Sequence, residues 1–147
     1  MARTPVVRKL ARRYLSARIA PAILDDLDRR ARRARKPRSN LVEQYIAEGL
    51  KLDAHPGITF VDGAAGRRPA LASRRGLDVW EVVTTLQANE GSVSDTAAVL
   101  DLPESEVRAA LGYYGANKQE IDEWIAANDA AATEREAAWR KEQSALR

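Results

Sequence analysis

The sequence predicts a mainly α protein with short β elements, divided into two parts. Three observations predict it. Leu15, Ala17 and Ile19 alternate with Tyr14, Ser16 and Arg18, the period-2 pattern of a half-buried strand, and helical spacing takes over directly afterwards. A second β signal comes only at Ile58-Thr59-Phe60-Val61, with a return strand from Arg67 to Leu71. From Asp78 onward the apolar positions follow helical spacing, and beyond Lys118 there is neither proline nor glycine.

The elements follow in order. Residues 1–12 read as a basic arm carrying Arg3, Arg8, Lys9 and Arg12. After the strand, Pro21 suits the first turn of a helix. Ile23, Leu24, Leu27, Ala31 and Ala34 form that helix's apolar face, and Lys36-Pro37 stops it. Ser39 is placed to cap a second helix with Leu41, Val42, Tyr45, Ile46 and Leu50 on one face. One strand and two helices are too small to bury a stable core alone. The strand also lacks a partner nearby in its own sequence, so a second copy pairing antiparallel across a two-fold axis is expected.

Residues 53–57, ending in His55-Pro56-Gly57, read as a linker. In the second part the turn Asp62-Gly63-Ala64-Ala65-Gly66 joins the two strands. Asp78-Val79-Trp80-Glu81 has capping-box spacing and opens a helix that Gly91 ends. A helix over about Val93–Leu100 follows. Pro103 starts another, with Val107, Ala110, Leu111 and Tyr114 on one face. The expected layout is therefore arm 1–12, a strand-and-two-helix dimerisation domain 13–52, linker 53–57, hairpin and helical domain 58–125, and amphipathic helix 126–147.

Charge divides the chain in the same way. Residues 1–51 hold 14 Lys+Arg and 5 Asp+Glu, a net of +9; residues 52–147 hold 10 and 16, a net of −6; together they give the chain's +3. Such a split points to a polyanion for the first part and a different partner for the second. A mean hydropathy of −0.44 and the lack of any apolar run near the roughly 20 residues of a membrane helix predict a soluble protein, and the absence of cysteine fits a reducing cytoplasm. The absence of cysteine removes disulfides, thiolate metal sites and thiol catalysis. His55 is the only histidine and has no second ligand or nucleophile near it in sequence. No catalytic set, metal site or cofactor motif is found, and an enzyme is not expected.

The first 50 residues resemble the ribbon-helix-helix family of bacterial repressors and antitoxins, the Arc, MetJ and CopG group. The resemblance rests on Tyr14-Leu15-Ser16-Ala17-Arg18-Ile19, on Pro21, on the helix end near Lys36 and on Arg38-Ser39-Asn40-Leu41. In that family the paired strands enter the major groove as a ribbon. The resemblance implies that Tyr14, Ser16 and Arg18 face the bases, Arg18 being suited to guanine. It also implies that Arg38, Ser39 and Asn40, at the second helix's start, contact phosphates.

Ser94 to Leu111 resembles a helix-turn-helix: Ala97 in the first helix, Leu102 in the turn, Val107 and Ala110 in the second, with Asp101 in place of the usual glycine. Glu104 and Glu106 at the start of the second helix repel phosphates, so protein contacts are expected of this unit. Gly57 to Gly63, Gly66-Arg67-Arg68 and Asp78 to Val83 resemble a small domain of bacterial antitoxins. Such antitoxins are typically encoded beside PIN-like ribonuclease toxins.

In the tail, Ile125, Ala131-Ala132, Ala138-Trp139 and Ala145-Leu146 recur at seven-residue steps, an apolar stripe that needs a groove or a packing surface to cover it. Trp139 is the candidate anchor on a toxin, with Arg135, Arg140 and Lys141 reaching toward an acidic nuclease site. The expected function is an antitoxin of a type II toxin–antitoxin pair, resembling the VapB type. It would bind operator DNA as a homodimer and inhibit a PIN-like ribonuclease through its C-terminal part. A repressor without a toxin and a protein-interaction adapter are the alternatives.

Overall fold

A computed structural model describes residues 13–74 and 76–145. The basic arm 1–12 and Leu146 lie outside the described residues. The chain is mainly helical with one short antiparallel two-stranded sheet. It divides into two compact units, Met1–Gln44 and Tyr45–Arg147.

In the first unit, residues 13–20 carry no strand in this single chain. The expected strand needs a partner that its own sequence does not supply. Helix α1, Pro21–Ala34, starts with its proline in the first turn, as expected from a missing N–H that the helix does not need there. Arg35 ends it in the left-handed conformation, φ 51 and ψ 38, its N–H turned back to the Ala31 and Arg32 carbonyls. Helix α2 runs Arg38–Ala54. It begins two residues earlier than the capping pattern suggests. The Pro37 carbonyl accepts from the Asn40 and Leu41 amides, so Ser39 sits within the first turn and is not its cap. Among the described residues, only Leu27, Ala31 and Leu41 are buried here, with Val42 against them. Leu15, Ile19 and Ile23 stay exposed, and so do Tyr45, Ile46 and Leu50 further along α2.

The second unit has a complete core. Strands β1, Ile58–Gly63, and β2, Gly66–Leu71, pair antiparallel from Ile58 opposite Leu71 to Gly63 opposite Gly66. The strands reach further than the sequence suggests, and the loop is Ala64-Ala65 alone. Gly66 carries the positive φ of 118°, so neither alanine needs one. Helix α3 is Val79–Ala88, α4 Val93–Leu100, α5 Glu104–Ala116 and α6 Lys118–Ala145. The Asp78 amide donates to the Glu81 carboxylate at 2.8 Å, the Glu81 half of the capping box read from the sequence. Ile58, Leu71, Val79, Val82, Val83, Leu86, Ala97, Leu102, Val107, Ala110, Tyr113 and Ile121 form one apolar cluster.

Between α4 and α5, Asp101 takes the left-handed conformation, φ 52, and the Leu102 amide bonds the Ala97 carbonyl at 2.9 Å. Asp53 and Ala54, expected in a linker, complete α2, and His55 rests edge-on against Tyr113 with ring centres 5.1 Å apart. Polar links hold the periphery. Lys51 and the Tyr113 hydroxyl both donate to one Glu120 oxygen at 2.7 Å, and Arg67 grips Glu48 at 2.7 and 2.8 Å. Arg68 and the Trp80 indole both donate to buried Asp78.

Candidate functional site

Two surfaces answer to the residues singled out in the sequence, one in each unit. On the first, Tyr14 is 95% exposed, and Ser16 and Arg18 are exposed on the same irregular segment. Their side chains are accessible, but no ladder fixes them on one face. A ribbon would do so, because alternate strand residues share a face. Arg38, Ser39 and Asn40 form the first turn of α2 and are all exposed. Their grouping follows from Pro37, which cannot continue α1 and leaves the new helix to start beside it. The Asn40 and Leu41 amides bond the Pro37 carbonyl, and the Arg38 and Ser39 amides ahead of them have no helical turn to bond. Arg38 itself donates to Asp28 at 3.2 Å, an exposed pair. Exposed pairs contribute at most about 1 kcal/mol, so a phosphate can displace Asp28.

The second surface is the far half of α6. Ile121 is buried and Trp124, Ile125 and Asn128 are half-buried, but every residue from Asp129 to Ala145 is exposed. Trp139 is 59% exposed. Among the described residues, this stretch covers its apolar stripe with nothing from its own unit. Arg140 pairs with Glu136 at 2.5 Å, Arg135 donates to the Ala131 carbonyl at 3.2 Å, and Lys141 is exposed. Arg135 therefore lies one turn before the tryptophan on the same face, whereas Arg140 and Lys141, one and two positions after it, lie on neighbouring faces. The sequence leaves open whether Trp139 packs back on the chain; the exposure of its whole neighbourhood answers that for the single chain.

The α4–α5 pair has the apolar contacts of the helix-turn-helix pattern: Ala97, Leu102, Val107 and Ala110 are all buried. Its outer face is poor in free positive charge, since Arg108 pairs with Glu104 at 3.2 Å. Arg74 donates to the Leu100 carbonyl and to Asp101, each at 3.3 Å, which occupies the turn from outside.

Among the described residues, no group of three or more metal-ligating side chains converges, and no helix is long and apolar enough to cross a membrane. No family model, no curated protein and no solved structure matches this chain.

Proposed function

We propose that the chain is a DNA-binding antitoxin of a toxin–antitoxin pair. It would act as a homodimer that reads operator DNA through a ribbon-helix-helix fold and holds a PIN-like ribonuclease through the end of α6. One observation carries the reading: the unfinished core of the first unit. The three side chains buried among the described residues cannot offset the ordering of two helices, while Leu15, Ile19 and Ile23 lie exposed in the same unit. A second copy completes that core and pairs the two 14–19 segments, which sets Tyr14, Ser16 and Arg18 in the major groove. The net charge of +9 over residues 1–51 supports a polyanion as ligand. The buried Ala97, Leu102, Val107 and Ala110 support the helix-turn-helix likeness of α4 and α5. The Arg108–Glu104 pair supports its use for protein contacts. The uncovered α6 stretch supports a protein partner, with Trp139 at the centre.

The test uses the full chain and the DNA upstream of its own coding region. Sedimentation should show a dimer, and Ala17→Pro, which removes a ladder hydrogen bond, should give a monomer that no longer binds that DNA. Arg18→Ala should weaken the specific complex by about 1–3 kcal/mol and leave random DNA almost unaffected. A wild-type protein that sediments as a monomer and binds no DNA would sink the reading. For the partner, Trp139→Ala should weaken binding of the neighbouring gene's nuclease by roughly 2 kcal/mol or more.

A further inference from the structure

We infer that Arg32, Arg33 and Arg35 form a second phosphate-binding surface for duplex DNA, additional to the strand and to the start of α2. The inference rests on the DNA-binding reading above. Arg32 and Arg33 lie in the last turn of α1, and Arg35 caps it. All three side chains are exposed, and their guanidinium groups make no ion pair or hydrogen bond among the described residues. Several basic neighbours differ in this respect. Arg29 pairs with Asp26, Arg38 with Asp28 at 3.2 Å, and Lys36 donates to Gln44 at 3.2 Å. No carboxylate occurs in the sequence between Asp28 and Glu43, so nothing local neutralises the three arginines.

Arg35 adds an independent observation. Its φ of 51° is the left-handed conformation that glycine adopts freely at a helix end and that a side chain with a Cβ adopts against steric resistance. The helix dipole favours a cation at this end. Lys36 would supply that cation with glycine at position 35. The fold thus carries strain to hold a guanidinium that makes no ion pair or hydrogen bond among the described residues.

The chemistry selects the ligand. Guanidinium groups bind phosphate oxygens in a bidentate fork. Single-stranded nucleic acid is held by bases stacked on aromatic rings, and membranes by an inserted apolar face. The end of α1 offers neither, since Leu27 and Ala31 are buried in the unit's own core. A regular duplex backbone, read by charge alone, is the polyanion that fits.

The experiment measures binding of a fluorescein-labelled random duplex of roughly 30 base pairs, by anisotropy, from about 50 to 200 mM KCl. Full-length wild type is compared with R32A/R33A/R35A. The log–log salt slope of the triple variant should become shallower by roughly 0.9 for each phosphate that is no longer neutralised. Arg35→Gly should raise the unfolding temperature and still flatten the slope; a purely structural cap would raise the temperature and leave the slope alone. An unchanged slope in both variants, with wild type still bound, overturns this inference and leaves the DNA-binding reading intact. Wild type that binds neither random duplex nor its own upstream DNA overturns the reading itself and the inference with it. Tighter binding of a single-stranded RNA of equal length overturns the assignment to duplex.

Discussion

Asp101 occupies a backbone position where a glycine costs nothing. Its φ of 52° closes α4 and aims Leu102 into the core. Replacing it by glycine removes the steric conflict and gives up only the exposed pair with Arg74, which is weak. Asp101→Gly should therefore raise stability by about 0.5 kcal/mol, read as an upward shift in thermal midpoint. Gly63 behaves in the opposite way. A Cβ built there collides with the Arg68 Nη1, so alanine displaces the guanidinium that bonds Asp78. Asp78 is buried, and its Oδ1 has no partner among the described residues, so losing Arg68 leaves it poorly compensated. Gly63→Ala should cost about 1–2 kcal/mol, and little more on top of Arg68→Ala, because both remove one interaction. Denaturant midpoints of the two single variants and the double variant check this; full additivity would refute it.

Tyr113 gives the pH dependence. Burial, and then the hydrogen bond to Glu120, push its phenol well above the ordinary value of 10.0. The folded state therefore holds the proton more tightly than the unfolded chain. The stabilisation is complete below about pH 10 and declines as pH rises beyond it, while the unfolded phenol ionises. Tyr113→Phe should lose about 1 kcal/mol at neutral pH, and its stability should fall less steeply above about pH 10. Unfolding titrations against pH, with tyrosinate absorbance, measure both.

At the scale of elements, local signals are legible in the sequence and partner-dependent ones are not. Glu81 three residues after Asp78 announces the start of α3, and the apolar spacing of Ala97, Leu102, Val107 and Ala110 announces the packing of α4 on α5. The start of α2 is harder to place. Ser39 is a favourable cap, yet Pro37 already supplies the carbonyl that the first amides need. The linkage of Lys51 and Tyr113 to Glu120 is not legible, since Lys51 and Glu120 are 69 positions apart and leave no periodic trace. For α6, the sequence shows a narrow stripe but not where packing stops. That boundary lies close to Asn128. Ending the chain after Asn128 should leave the second unit's midpoint within about 2 °C of wild type, because the removed residues bury almost nothing within it. A fall of many degrees would mean that the stretch stabilises the fold. The same truncation should abolish partner binding.

At the scale of the molecule, the two units should unfold by different laws. The Tyr45–Arg147 unit has a continuous core from Ile58 to Ile121 and should melt at a temperature independent of concentration. The described residues of the Met1–Gln44 unit bury three side chains, so its stability should come from association and rise with protein concentration. Calorimetry over a dilution of about a hundredfold should move one transition and leave the other fixed. Two fixed transitions would show that the first unit folds without a second copy. The charge division read from the sequence falls at residue 51, but the compact units part at Gln44, inside α2. A change of net charge follows ligands, whereas a change of core follows packing, and the two need not coincide.

The exposed end of α6 also bears on how long the molecule lasts. A helix with no packed face opens and closes continually, so its backbone is available to a protease for an appreciable fraction of the time. Arg135, Arg140 and Lys141 put trypsin-type cleavage points along that stretch, while the core they follow stays closed. Attack on such a segment tracks the open population rather than global unfolding. Anything that grips Trp139 lowers that population. The survival of the tail in a cell extract would then report, hour by hour, whether the protein is occupied.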